Sequence, residues 1–107
     1  MNIPNDADGD AMRRIIDDGS DLSKPMDVDF MIACPSISVA EAIAPLAEQK
    51  GYKVEISQDP VDNSVTCYCM KTMLLEYSEI IRIQDELDQL SKLHGGDIDG
   101  WGTFGNI

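Results

Sequence analysis

Between residues 26 and 34 the chain alternates. Val28, Phe30 and Ile32 fall on one side of an extended backbone, and Asp27, Asp29 and Met31 fall on the other. That two-residue period predicts a strand with one buried and one wet face. The alternation returns over Tyr52-Lys53-Val54-Glu55-Ile56-Ser57 and again from Ser64 to Lys71. Asp59-Pro60 and Asp62-Asn63 mark a turn between these two runs, so they read as a hairpin. The closing stretch, Asp97-Ile98-Asp99-Gly100-Trp101-Gly102-Thr103-Phe104, predicts a fourth strand. Strict alternation there puts Ile98, Gly100, Gly102 and Phe104 on one side and Asp99, Trp101 and Thr103 on the other. The glycines strip side chains from around the indole, so another backbone or ring can approach it.

Elsewhere the period is helical. Met12, Ile15 and Ile16 lie at i, i+3 and i+4 and predict a short amphipathic helix that Gly19 stops, after which Lys24-Pro25 leads the chain out extended. Asp6, Asp8 and Asp10 alternate as in a calcium loop, but neither the glycine nor the closing glutamate stands where such a loop needs it. They read instead as favourable charges near a helix N-terminus. Ser38-Val39-Ala40-Glu41 reads as a capping box that opens a helix running to Gln49 or Lys50. Ile43, Leu46 and Ala47 supply its apolar positions, Gly51 closes it, and Pro45 predicts a kink or a split first turn. Tyr77, Ile80, Ile81, Gln84, Leu87 and Leu90 then recur on one side of the longest helix, about four turns long. Leu93-His94-Gly95-Gly96 ends it, and His94, the only histidine, reads as a cap at the helix C-terminus.

The predicted order after the first helix is β-α-β-β-α-β. This is an α+β, ferredoxin-like sandwich with an extra N-terminal helix, in one domain spanning residues 1–107 with residues 1–8 flexible. Val28, Phe30, Ile32, Tyr52, Val54, Ile56, Val65, Cys67 and Cys69 would face the helices. Asp27, Asp29, Met31, Lys53, Glu55, Thr66, Tyr68, Met70 and Trp101 would line the opposite face. Met31, Tyr68, Met70 and Trp101 then form an apolar patch amid charge, and such a patch calls for a cover. The first helix, another subunit of a homo-oligomer or a protein partner would each supply one.

Charge narrows the partners. Twenty acidic residues against eight basic ones give a net charge of −12 and repel phosphate backbones, so direct nucleic-acid binding is disfavoured and a basic protein partner is favoured. No apolar run approaches the roughly 20 residues that cross a bilayer, and the start lacks a secretory pattern, so a cytoplasmic location is expected. Cys34, Cys67 and Cys69 lie in buried-strand patterns and read as reduced core thiols, with spacing unlike a zinc site.

Catalytic patterns are absent from the sequence: no phosphate-binding loop, no His-Glu-x-x-His, no nucleophile elbow and no dinucleotide fingerprint. Paired acids such as Asp17 with Asp18, or Asp97 with Asp99, could serve acid-base chemistry, but a chain this acidic holds such pairs without function. No enzyme, cofactor or metal is expected.

Three segments carry a resemblance. Asp18-Gly19-Ser20-Asp21 after a short helix, Gly51-Tyr52 with Val54, and above all Asp99-Gly100-Trp101-Gly102-Thr103-Phe104 resemble the regulator of ribonuclease E activity B family (RraB). The resemblance implies a small acidic bacterial protein of the cytosol with a ferredoxin-like fold. It also implies a non-catalytic role: binding ribonuclease E and lowering its action on RNA. Family members often continue into an acidic tail, whereas this sequence stops three residues after Phe104. The protein-binding residues expected on these grounds are Asp27, Asp29, Asp97 and Asp99 for charge, and Tyr68, Met70 and Trp101 for apolar contact. The alternative is an acidic immunity-type domain that neutralises another basic protein, such as a toxin nuclease.

Overall fold

The computed structural model describes residues 3–106; Met1, Asn2 and Ile107 lie outside them. Seven elements follow in order: α1 (Ala7–Asp17), β1 (Met26–Cys34), α2 (Ile37–Gln49), β2 (Lys53–Gln58), β3 (Val65–Met73), α3 (Tyr77–Lys92) and β4 (Asp97–Thr103). The strands form one antiparallel sheet in the order β2-β3-β1-β4, which makes β1 and β3 central and leaves β2 and β4 as edges. The fold is α+β, with the element order that the hydrophobic pattern predicts.

Register explains the core. Phe30 and Ile32 stand opposite Cys69 and Cys67, which in turn stand opposite Val54 and Ile56. One face of the sheet is therefore continuously apolar across three strands. α2 lies over β2 and β3, α3 lies over β1 and β4, and the two helices touch each other. They bring Ala40, Ile43, Ala47, Ile80, Ile83 and Leu87 onto Val28, Phe30, Ile32, Cys67 and Cys69, all fully buried. α1 leans on α3 and adds a fully buried Met12 to the same cluster. The helix layer thus holds three helices, all on one side.

Several details depart from the sequence reading. α2 is capped by Ser36, whose hydroxyl accepts from the Val39 amide at 3.3 Å, so the helix starts two residues before the expected box. The cause is Pro35: β1 ends at Cys34, and the first hydroxyl after the proline takes the extended cap conformation, which leaves Ser38 already inside the first turn. Pro45 sits within an unbroken helix. Glu41, whose carbonyl the proline cannot bond, is exposed with it, so water can take the place of the missing amide. In α3 it is Ile83 that is buried, while Ile81 is exposed, because the stripe that meets the sheet follows Ile80, Ile83 and Leu87.

The looseness expected of residues 1–8 falls in part on Met1 and Asn2, outside the described residues. From Ile3 on the chain is tied to α1. The Asp6 carboxylate accepts from the Gly9 amide at 2.8 Å and caps the helix, and the Arg13 guanidinium donates to the carbonyls of Ile3 and Pro4. Gly9 is required there, since a Cβ would lie 1.9 Å from the Pro4 oxygen.

Candidate functional site

Among the described residues, the opposite side of the sheet carries no helix. From the register, one row across it runs Lys53, Met70, Asp29, Gly102 and the next runs Glu55, Tyr68, Met31. A third row runs Ser57, Thr66, Ala33, Asp97, and Thr72 stands beside Asp27 at the end of the central pair. Met31, Tyr68 and Met70 make the centre of this face and are half-buried by their neighbours alone. Around them stand four carboxylates, Asp27, Asp29, Glu55 and Asp97, against a single lysine, Lys53. The Thr72 hydroxyl donates to the Asp27 carboxylate, and the Thr103 hydroxyl donates to the Asp27 carbonyl at 2.6 Å, which fixes the backbone at that corner. α1 does not cover the patch, because it packs in the helix layer on the far side.

Asp27, Asp29, Tyr68 and Met70 are thus brought together on the bare face, with Asp97 at its edge. Trp101 is not among them. Phe30 pairs with Trp101 and Ile32 with Ile98, so one residue of β1, Met31, faces two of β4, Asp99 and Gly100. This is a bulge, and Gly100 takes the left-handed conformation it needs, with φ at 88°. The extra residue reverses the alternation beyond it, so the indole lands on the helix side with Phe30 and Ile98 instead of on the bare face. Phe104, past the strand end, is 100% exposed.

On the helix side Trp101 packs against the core and its Nε1 donates to Asp8 Oδ1 of α1 at 2.8 Å. Gln84 of α3 donates to the same oxygen at 3.3 Å, and the Tyr77 hydroxyl of α3 donates to Asp6. Asp8 therefore ties α1, α3 and β4 at one point. The Tyr77 hydroxyl, then the Gly9 amide, hold the Asp6 carboxyl below the usual range. Sequence reasoning placed Asp8 as a helix-start charge and missed this role, since no local pattern announces a partner 93 residues away.

The three cysteines are free and buried, with burial pushing the Cys34 thiol up and the Cys67 hydrogen bond, then burial, pushing Cys69 up. Cys34 and Cys69, kept neutral in this way, are poor nucleophiles, while the hydrogen bond with Cys69 moves the Cys67 thiol down. Among the described residues no three or more metal-capable side chains converge, and no helix is long and apolar enough to cross a membrane.

This arrangement, an apolar centre with an acidic rim, is suited to binding a protein surface. Comparison with known proteins agrees. The profile of the family described as regulator of ribonuclease activity B matches residues 5–103. A regulator of ribonuclease activity B from Actinobacillus succinogenes is 31% identical over 97 residues, covering 87% of this chain and 68% of that protein. The match runs from just before α1 to the last residue of β4, through both the bare face and the bulged strand, and the chain belongs to the regulator of ribonuclease activity B family.

Proposed function

We propose that this chain is a non-catalytic regulator that binds ribonuclease E through the bare face of its sheet and so modulates RNA decay. The observation that carries the reading is the uncovered patch of Met31, Tyr68 and Met70 inside a rim of Asp27, Asp29, Glu55 and Asp97. An apolar anchor ringed mostly by negative charge selects a partner surface with apolar contacts and the opposite charge. Tyr68 and Met70 supply the anchor; Asp27, Asp29 and Asp97 steer a basic partner onto it, with Asp99 beside them at the bulge. Trp101 acts behind this surface, holding β4 to α1.

The finer readings follow from the same features. The sheet order, with one helix after β1 and another after β3, supports the ferredoxin-like description, extended by α1. The net charge of −12 supports a protein partner over direct RNA contact and works against self-association, and a cytoplasmic site of action accords with the partner.

The test is a titration of the purified protein against ribonuclease E at low and raised salt, with RNA cleavage followed in parallel. Binding that weakens with salt and slows cleavage supports the reading. Absence of binding at low salt removes it.

A further inference from the structure

The helix layer is wider than the sheet beneath it. Packed helices lie about 8–10 Å apart and strands about 4.8 Å apart, so each helix covers roughly two strands. α2 covers β2 and β3, and α3 covers β1 and β4. α1, third in the layer, overhangs the outer side of β4, where no strand lies. A groove of about 260 Å³ runs there between Ala11, Arg14, Ile15 and Asp18 of the α1 end and Trp101, Gly102 and Thr103 of β4. It continues past Ile15 into a second hollow of about 360 Å³ that reaches the exposed Phe104.

β4 is an edge strand, and among the described residues no backbone hydrogen bond runs from its outer side to α1 or to the following segment. A Cβ placed on Gly100 or Gly102 would meet nothing within 4 Å, so the bare-face side of this edge is open as well. We infer that the vacant strand position beside β4 receives an extended segment of the protein's basic partner, which adds a fifth strand to the sheet. Backbone pairing along β4 would supply affinity, and alternate side chains would enter the groove beside Ile15 and Trp101.

Charge decides the occupant. Asp97 and Asp99 are exposed on β4, and Asp18 lines the groove with only Arg14 to offset it. A second copy of this chain would bring another −12 to the same edge, whereas a lysine- or arginine-bearing strand with an apolar residue gains from every one of these acids. The inference rests on the reading that ribonuclease E is the partner and adds how a segment of it is held.

Amide hydrogen exchange on the full chain, free and bound to ribonuclease E, tests it. Amides within Asp97–Thr103 are expected to slow by about tenfold or more in the complex, while those of β2, the other edge, keep their rates. Ala11→Phe, which fills the groove from an α1 position, is expected to weaken binding about tenfold with the thermal midpoint unchanged. Binding that leaves β4 exchange unaltered and tolerates Ala11→Phe overturns this inference alone. No binding at low salt overturns it together with the proposed function.

Discussion

The two faces of the sheet are built from the same strands, residue by residue, yet they obey different rules. On the helix side Val28, Phe30, Ile32, Cys67 and Cys69 are fully buried. On the other side their neighbours Asp29, Met31, Tyr68 and Met70 are half-open, and carboxylates outnumber cations. Burial of apolar area on one face alone is enough to hold an antiparallel sheet together, which frees the other for recognition. The difference shows that stability and binding are separable along a single strand, with each residue's share set by the parity of its position.

That separation can be broken most forcefully at Phe30. Phe30→Ala empties a fully buried ring site and is expected to cost about 3–5 kcal/mol, read as a lowered denaturation midpoint. Trp101→Ala comes next. It removes a half-buried ring and the donor to Asp8, and is expected to cost about 2–4 kcal/mol. A double-mutant cycle with Asp8→Ala would then show coupling between the two sites. If Trp101→Ala instead abolished binding with stability intact, the indole would belong to the recognition surface.

On the bare face the effects should move from stability to affinity. Tyr68→Ala is expected to change stability by no more than about 1 kcal/mol but to weaken ribonuclease E binding by about 2 kcal/mol, measured by calorimetry beside a urea titration. A Tyr68→Ala protein that failed to fold would erase the contrast between the faces. Asp27→Asn and Asp29→Asn together should lower the association rate about tenfold or less and flatten its dependence on salt, with the dissociation rate little changed.

The smallest expected effect is in the pH profile. Asp6 is held below its usual range by Tyr77 and Gly9, so its contribution is fully present above the unfolded-chain value of about 4. It is lost as pH falls through the lowered folded value. Asp6→Asn should therefore flatten the acid limb of stability without touching the alkaline limb. Tyr52 behaves in the opposite sense. Burial, then the nearby Glu86, raise its phenol, so its contribution is present below about pH 10 and lost at higher pH, and Tyr52→Phe should remove that alkaline loss. Both groups lie on the helix side; a binding profile that tracked either of them would tie the two faces together.

Much of this was legible in the residues. The alternation in β1 and β3 needed only the two-residue period of an extended chain, and it assigned Phe30, Cys67 and Cys69 to the core and Tyr68 and Met70 to the other face. The helices were visible in their spacing because amphipathic patterns are local. Cap positions were less so: Ser36 and Ser38 carry the same hydroxyl, and only the end of β1 at Cys34 chose between them. Ile81 and Ile83 are likewise both apolar, and the angle at which α3 meets the sheet selected Ile83.

The sequence by itself determined the order of elements, the residues of the central strands that turn inward, and an acidic chain whose closing Asp-Gly-Trp-Gly-Thr run marks its family. Each of these is a matter of near neighbours or of summed charge. Tertiary structure alone decided where α1 docks and which way Trp101 faces. The first depends on contacts between residues as distant as Asp8 and Trp101. The second turns on one extra residue at Gly100, because a period of two reverses with every insertion of one, and a bulge forms only once β1 is there to pair with.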